Sequence, residues 1–149
     1  MDVTEALAIV MRLCMVFEGL MLRPYLCPAG VPTIGYGTTH YLDGRAVRLS
    51  DPPITREHAL HLLRHKILTE YMPGVLRLCR AVDTPGRLAA LTDFAYNLGL
   101  GKLRSSTLLR CVLAGRWDLV PAELRKWVLA GGKRQRGLVL RREAEIGHV

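Results

Sequence analysis

The sequence lacks any CxxC pair: its four cysteines, Cys14, Cys27, Cys79 and Cys111, stand far apart. That spacing excludes the paired-thiol signatures of zinc or dithiol redox centres. An even count permits disulfides, but a chain of 149 residues can build a core without staples, so the four are read as mostly reduced thiols. Long hydrophobic runs are missing too. The most apolar stretch, Ala6 to Val16, is interrupted by Arg12 and ends at Glu18, too short and too charged to span a membrane. No small-residue cleavage site follows a basic start, so neither a signal peptide nor a transmembrane anchor is expected. Internal repeats and low-complexity segments are absent. Acidic residues are scarce: 13 Asp and Glu stand against 21 Lys and Arg, a net charge of +8. Such a balance suits a polyanionic partner, whether nucleic acid, an acidic membrane surface or a cell-wall polymer, and does not choose among them.

What is present is globular: half the residues are hydrophobic and 23% are charged, too apolar for a disordered chain. Ala6, Ile9, Val10, Leu13, Cys14 and Phe17 share one face at helical spacing, which predicts a first helix over about 4–18, with Thr4 as N-cap and Gly19 as stop. Pro24, Pro28 and Pro32 forbid its continuation. Thr33 to Leu49 reads as a small antiparallel sheet, with Asp43-Gly44 turning a hairpin between Thr38–Leu42 and Arg45–Leu49. Gly35 and Gly37 inside its first strand suggest a bend or a surface approached closely. Thr55 caps a helix from about Arg56 to Tyr71 that Pro73-Gly74 breaks. Thr84-Pro85 opens a helix ending near Asn97 and Gly99, and Ser105 or Ser106 opens another that stops at Gly115. Helices over Pro121 to Ala130 and Leu138 to Ile146 close the chain. The expected class is α+β, mostly helical. One domain spans 1–149: a β-containing lobe over about 19–54, a bridging helix over 55–71 and a helical lobe over 75–149, with a cleft between the lobes.

Glu18 is the first candidate for chemistry. It lies at the negative end of a helix dipole among Phe17, Leu20 and Met21. Both surroundings disfavour a carboxylate, so Glu18 is expected to hold its proton longer than an exposed glutamate, as suits a general acid. His58, His61 and His65 share a helix face, but no carboxylate or cysteine joins them at ligand spacing, so a solvated face is the better reading. Trp117 and Trp127 read as core of the helical lobe. Lys133, Arg134, Arg136, Arg141 and Arg142 form a basic cluster, either drawn to an anionic polymer or simply a solvated face.

The stretch FEGLMLRPYLCPAGVPTIGYGTT, from Phe17 to Thr39, resembles the N-terminal signature of the phage-type lysozymes, the muramidase family that includes the endolysins of tailed bacteriophages. That signature is a glutamate, then an aspartate or cysteine, then a threonine; here these are Glu18, Cys27 and Thr33. FAYNLG at Phe94–Gly99, SSTLLR at Ser105–Arg110 and GGKRQRGLVLRREAE at Gly131–Glu145 resemble the later motifs of the family in the right order. The resemblance implies a lysozyme-like fold and cleavage of the bond between N-acetylmuramic acid and N-acetylglucosamine. Glu18 would protonate the leaving oxygen, the residue at position 27 would place or activate water on the opposite sugar face, and Thr33 would hold that water. Tyr96 and Asn97 would contact sugar, with Thr107 as a polar partner. In GYGTTHY, Thr38 replaces a histidine common in relatives, and His40 comes two residues later.

Cys27 is a departure toward the less acidic ligand of the two that the signature admits. A thiol is a weak hydrogen-bond acceptor, and only as a thiolate can it supply negative charge. Arg23 is the nearest stabilising cation in sequence. Cys27 either assists the water without forming a glycosyl intermediate, or packs as a small hydrophobe while Glu18 acts alone. No metal or organic cofactor is needed or signalled. The implied partner is peptidoglycan, without nucleic acid or stable membrane insertion. A monomer would accumulate in the host cytoplasm and reach the wall through a holin pore. Two other classes compete: a DNA-binding protein that reads LTDFAYNLGLGKLRSSTLLRCVLAG as helix–turn–helix, and a wall-binding module without catalysis. Leu108, Leu109, Val112 and Leu113 make the supposed recognition helix apolar, which disfavours the first. Intact Glu18 and Thr33 disfavour the second.

Overall fold

The computed structural model describes residues 1–149. Helix α1, Val3–Phe17, buries Ala6, Leu7, Ile9, Val10, Leu13 and Cys14. Its N-cap is Asp2 rather than Thr4, because the Asp2 carboxylate accepts the Thr4 backbone N–H at 2.9 Å. The helix ends on Glu18, whose N–H donates to the Cys14 carbonyl, and Gly19 turns the chain away at φ 71.

The sheet differs from the expected one. Strand β1, Met21–Leu26, pairs antiparallel with β2, Pro32–Gly35, through Tyr25↔Thr33 and Leu26↔Pro32. The ladder is irregular between Met21 and Tyr25, where Pro24 has no N–H to give. Thr38 to Leu49 makes only isolated bridges, Ile34↔Thr38 and His40↔Ala46. The physical reason is the backbone at Gly35 and Gly37, which takes φ 67 and 82 and curls the chain before a long strand can form. A turn does form at Asp43-Gly44, where Asp43 Oδ1 accepts the Arg45 N–H at 2.9 Å, but extended strands do not flank it.

Thr55 caps α2, Arg56–Lys66, as expected. The break at Pro73-Gly74 does not occur. A π-helical turn, Ile67–Tyr71, leads directly into α3, Met72–Leu78. The Met72 N–H reaches back to the Ile67 carbonyl, and this wider turn accommodates a proline that an unbroken α-helix would not. Gly74 is buried against Leu100 with no space for a Cβ, so it serves packing rather than termination.

Helix α4, Pro85–Leu98, is capped by Thr84 and is buried at every residue from Leu88 to Ala95. It packs against α1, α3 and the last helix. After Gly99 come a short α5, Leu100–Arg104, which the sequence reading missed, and α6, Thr107–Leu113, capped by Ser106. Helix α7, Val120–Arg125, is shorter than the expected helix to Ala130. Gly131 and Gly132, both at positive φ, instead turn a hairpin between β3, Leu129–Ala130, and β4, Lys133–Arg134. Helix α8, Arg136–Ile146, closes the chain.

The main core lies among the helices, with Trp117 and Trp127 packed on it. Phe94 meets Trp127 edge-on at 5.3 Å. Leu108, Leu109 and Val112 of α6 are buried, so this is a core helix, unlike a recognition helix that presents side chains to a groove. No helix is long and apolar enough to cross a membrane.

Candidate active site

A cleft of about 420 Å³ opens between the small sheet and the helices. Glu18, Cys27 and Thr33 line it together, as do Tyr96 and Asn97. Thr107 does not join them. It is exposed at the start of α6 and lines a separate depression with Glu123, Lys126 and Trp127.

Glu18 arrives from the end of α1 and is 20% exposed. Its surroundings are not simply apolar, as expected from sequence. Arg141 from α8 donates from Nη1 to Glu18 Oε1 at 2.7 Å. The other oxygen, Oε2, faces Gly37, where an added Cβ would lie 3.2 Å from it. The glycine therefore lets the β2 turn pass close to the carboxylate. Gly37 also passes beside the Tyr96 hydroxyl, which donates to the Tyr36 carbonyl at 2.6 Å and ties α4 to the sheet region. Tyr96 thus both faces the cleft and has its hydroxyl satisfied, and Tyr71 packs edge-on against it at 5.1 Å.

Cys27 is neither buried nor stabilised by Arg23. It opens a tight turn in which its N–H donates to the Val31 carbonyl at 3.0 Å and its carbonyl accepts from Gly30 N–H at 2.8 Å. The turn gathers backbone N–H groups around the sulfur. Val31 N–H is the foremost of them, with Ala29 N–H, the Thr33 hydroxyl and Gly30 N–H adding to it, and together they hold the thiol below its ordinary range despite some desolvation. Thr33 hangs on the same turn: its hydroxyl donates to the Val31 carbonyl at 2.8 Å. Its oxygen also lines the cleft and has lone pairs to accept with.

Behind Glu18 lies an ionic network that the sequence reading missed. Arg141 is 4% exposed and forms a bidentate pair with Asp93 of α4, Nε to Oδ2 and Nη2 to Oδ1, both at 2.8 Å. Arg142, fully buried, donates from Nη2 to Asn97 Oδ1 at 2.8 Å and to Glu145 Oε1 at 2.7 Å. The expected basic cluster is therefore two things. Lys133, Arg134 and Arg136 are exposed, whereas Arg141 and Arg142 face inward because buried carboxylates receive them. A signal for this existed: Asp93 sits alone in the apolar run Leu88 to Ala95, where a carboxylate needs a cationic partner. Tyr25, Thr38 and Thr39, which lie within the Phe17–Thr39 signature but had no site role from it, also line the cleft, as do Lys66 and Tyr71, which no motif named. His58, His61 and His65 are exposed on α2.

The chain is similar to known proteins in both sequence and fold. Residues 15–145 match the family described as phage lysozyme. The chain is 42% identical over 134 residues to an endolysin of Bacillus phage B103, covering 87% of this chain and 48% of that protein. It is 35% identical over 129 residues to a SAR-endolysin of Bacteriophage PS119, covering 86% and 73%. Of solved structures, an endolysin from Escherichia coli O157:H7 phage FAHEc1 superposes with a TM-score of 0.82 at 29% identity, over 99% of this chain and 92% of that one. A P22 lysozyme variant gives 0.80 at 26% identity, over 93% of each chain. The chain spans about half the length of the Bacillus phage endolysins that it matches, 48% in both cases. With a family match that runs from the end of α1 to the end of α8, and with the mostly helical α+β fold of phage lysozymes around the cleft, the chain belongs to the phage lysozyme family.

Proposed function

We propose that the chain is a glycoside hydrolase that cleaves the β-1,4 bond between N-acetylmuramic acid and N-acetylglucosamine in peptidoglycan. The observation that carries this reading is the meeting of Glu18, Cys27 and Thr33 on one cleft. Glu18 is the general acid. Arg141 occupies Oε1, which leaves Oε2 to pass a proton to the departing glycosidic oxygen. A water on the opposite sugar face attacks the anomeric carbon as the glycosidic bond breaks. Its proton passes to the Cys27 thiolate, whose charge the surrounding N–H groups favour. Thr33 accepts the water's second hydrogen and aims the lone pair. The bond to carbon forms from water and not from sulfur, so the anomeric centre inverts. Tyr96 offers its ring to a sugar face, and Asn97, fixed by Arg142, offers its amide N–H. No cofactor enters this scheme.

In the cell, the reading is that of an endolysin. It works as a monomer that accumulates in the infected host's cytoplasm, reaches the wall through a holin pore and lyses the host. The endolysin names of the relatives support the lytic role. The test is clearing of a purified peptidoglycan suspension by the wild type beside Glu18→Gln. Clearing by the wild type alone is expected; equal clearing by both would remove Glu18 from the mechanism. Clearing by neither, with retention on the wall, would favour a binding module.

A further inference from the structure

Two acids share one cation behind the cleft. Arg141 turns its Nε–Nη2 edge to Asp93, with both bonds at 2.8 Å, and its remaining Nη1 to Glu18 Oε1 at 2.7 Å. The two acids are not placed alike. Asp93 has no exposed side-chain surface, whereas Glu18 is 20% exposed at the cleft. A carboxylate out of reach of water needs a full opposing charge, so Asp93 and Arg141 together form a neutral unit. Burial opposes the charge on Asp93, but the hydrogen bonds and charge of Arg141 hold its carboxyl below the ordinary range. Little of the guanidinium charge is then left over for Glu18. A guanidinium without such a partner, at the same distance, would strongly favour the ionised form of Glu18. An arginine only donates, so Oε1 is an acceptor in either state of Glu18. In the neutral acid that makes Oε1 the carbonyl oxygen and leaves the proton on Oε2, beside Gly37.

We propose that Asp93 is a positioning residue for Glu18: its two-point grip aims Arg141 Nη1 at Glu18 Oε1 and balances the guanidinium charge, so that Glu18 stands there as a neutral acid with its proton on Oε2. This rests on the reading of Glu18 as the catalytic acid. The other titratable groups around Glu18 are Cys14 of α1, Tyr25 of β1, Tyr71 of the π-helical turn and Tyr96 of α4, with Cys27 and Lys66 lining the same cleft. Burial raises Cys14 and the three tyrosines, so all four remain neutral. Lys66 is paired with Glu70 at 2.7 Å. Arg142 and Glu145, also of α8, bond each other at 2.7 Å, and the further bonds of Arg142 go to Asn97 and the Trp127 carbonyl. Among the carboxyl groups, Asp93 and Glu18 are the two that bond Arg141.

The test is the pH dependence of kcat in variants of Asp93. Asp93→Asn keeps the shape, removes the charge and sets an amide N–H against an Arg141 N–H. The limb of the profile set by Glu18, which is the limb that Cys27→Asp leaves in place, is expected to move about one unit or more toward acid. Above that limb kcat should fall about tenfold, with KM little changed. Asp93→Glu keeps the charge, so its limb should stay within about 0.3 unit of wild type even where stability falls. A limb that stays in place in Asp93→Asn, or moves equally in both variants, would overturn the proposal, because a purely structural role changes stability and not the limb. The double variant Asp93→Asn/Arg141→Gln leaves no unpaired charge, and its limb should not be displaced toward acid. An acid displacement as large as that of Asp93→Asn would show that Asp93 does not act through Arg141. Should Asp93→Asn fail to fold, an acid displacement in either of the other two variants overturns the proposal, and its absence in both supports it. If the wild type hydrolysed nothing, or Glu18→Gln hydrolysed equally well, the catalytic reading itself would fail; an unmoved limb in an active Asp93→Asn would sink the positioning role alone.

Discussion

Arg141 Nη1 lies 2.7 Å from Glu18 Oε1, although 123 residues of chain separate the two. The same guanidinium grips Asp93 with its other edge, so the carboxylate at the mouth of the cleft is anchored to the centre of the helical core. A bidentate planar cation is suited to two acids at once, and a lysine is not.

Removing that cation strands Asp93 in the core. Arg141→Ala is expected to lower the unfolding free energy by about 3–5 kcal/mol, the usual cost of leaving a buried charge unpaired. Because the folded Asp93 carboxyl titrates below its ordinary 3.8, the pair's contribution is complete above that pH and is lost as pH falls through the folded value. Urea unfolding of both proteins should therefore show curves that converge in acid. A constant difference at every pH would contradict the pairing.

Cys27 should be the most reactive of the four thiols. Burial raises Cys14 far above the ordinary range and Cys79 to about 11, whereas backbone N–H groups lower Cys27. Limited iodoacetamide treatment followed by peptide mass spectrometry should find Cys27 modified first, with loss of hydrolysis in parallel. Preferential labelling at Cys111 would show that the turn does not activate the sulfur.

The proposed base predicts a pH profile. Hydrolysis requires protonated Glu18 and ionised Cys27 together, so the rate should be bell-shaped in pH, with one limb set by each group and the Cys27 limb below 9.0. In Cys27→Asp the limb set by position 27 should move several units toward acid, because a carboxyl ionises near 3.9. Cys27→Ala should lose about 100-fold or more in kcat, the scale of a general base. Unchanged activity in alanine would reduce Cys27 to packing. The anomeric configuration of fresh product, read by proton NMR, separates attack by water from a covalent sulfur intermediate.

Gly37 should tolerate no side chain. Its φ of 82 alone costs an L-residue about 1–2 kcal/mol. The added Cβ would also stand 3.2 Å from Glu18 Oε2, the oxygen assigned to proton transfer. Gly37→Ala is therefore expected to lower kcat beyond what its stability loss explains, measured well below the melting temperature. A variant with lower stability and full activity would place Oε2 elsewhere in the reaction.

Tyr96→Phe removes one hydrogen bond while keeping the ring against Tyr71. The cost should be about 1–3 kcal/mol, because the Tyr36 carbonyl loses its donor. Calorimetry checks it, and a neutral effect would mean that water replaces the hydroxyl.

Local signals marked the helices well. Thr55, Thr84 and Ser106 cap where their side chains can take an N–H three residues on, and Gly19, Gly99 and Gly115 stop helices at positive φ. Strand β1 was hidden because its residues are mostly exposed or half-buried, so no alternation marks one face, and Pro24 argued against a strand. The catalytic candidates were legible through their motif. Their support was not, since Arg141 meets Asp93 and Glu18 across 48 and 123 residues. Spacing along one helix could reveal only the Arg142–Glu145 pair, three residues apart on α8.

The π-helical turn at Ile67–Tyr71 carries a further consequence. It inserts one residue into an otherwise continuous rod running from Arg56 to Leu78. Each residue of an α-helix advances the azimuth by about 100°. The extra residue therefore sets the rotational phase of α3 relative to α2. It brings Tyr71 to the cleft against Tyr96 and seats Gly74 on Leu100. Deleting any one residue of the turn would leave composition nearly untouched but would swing these contacts about a quarter of a revolution out of alignment. At this place in the chain the number of residues matters more than their identity, because here length is translated into angle.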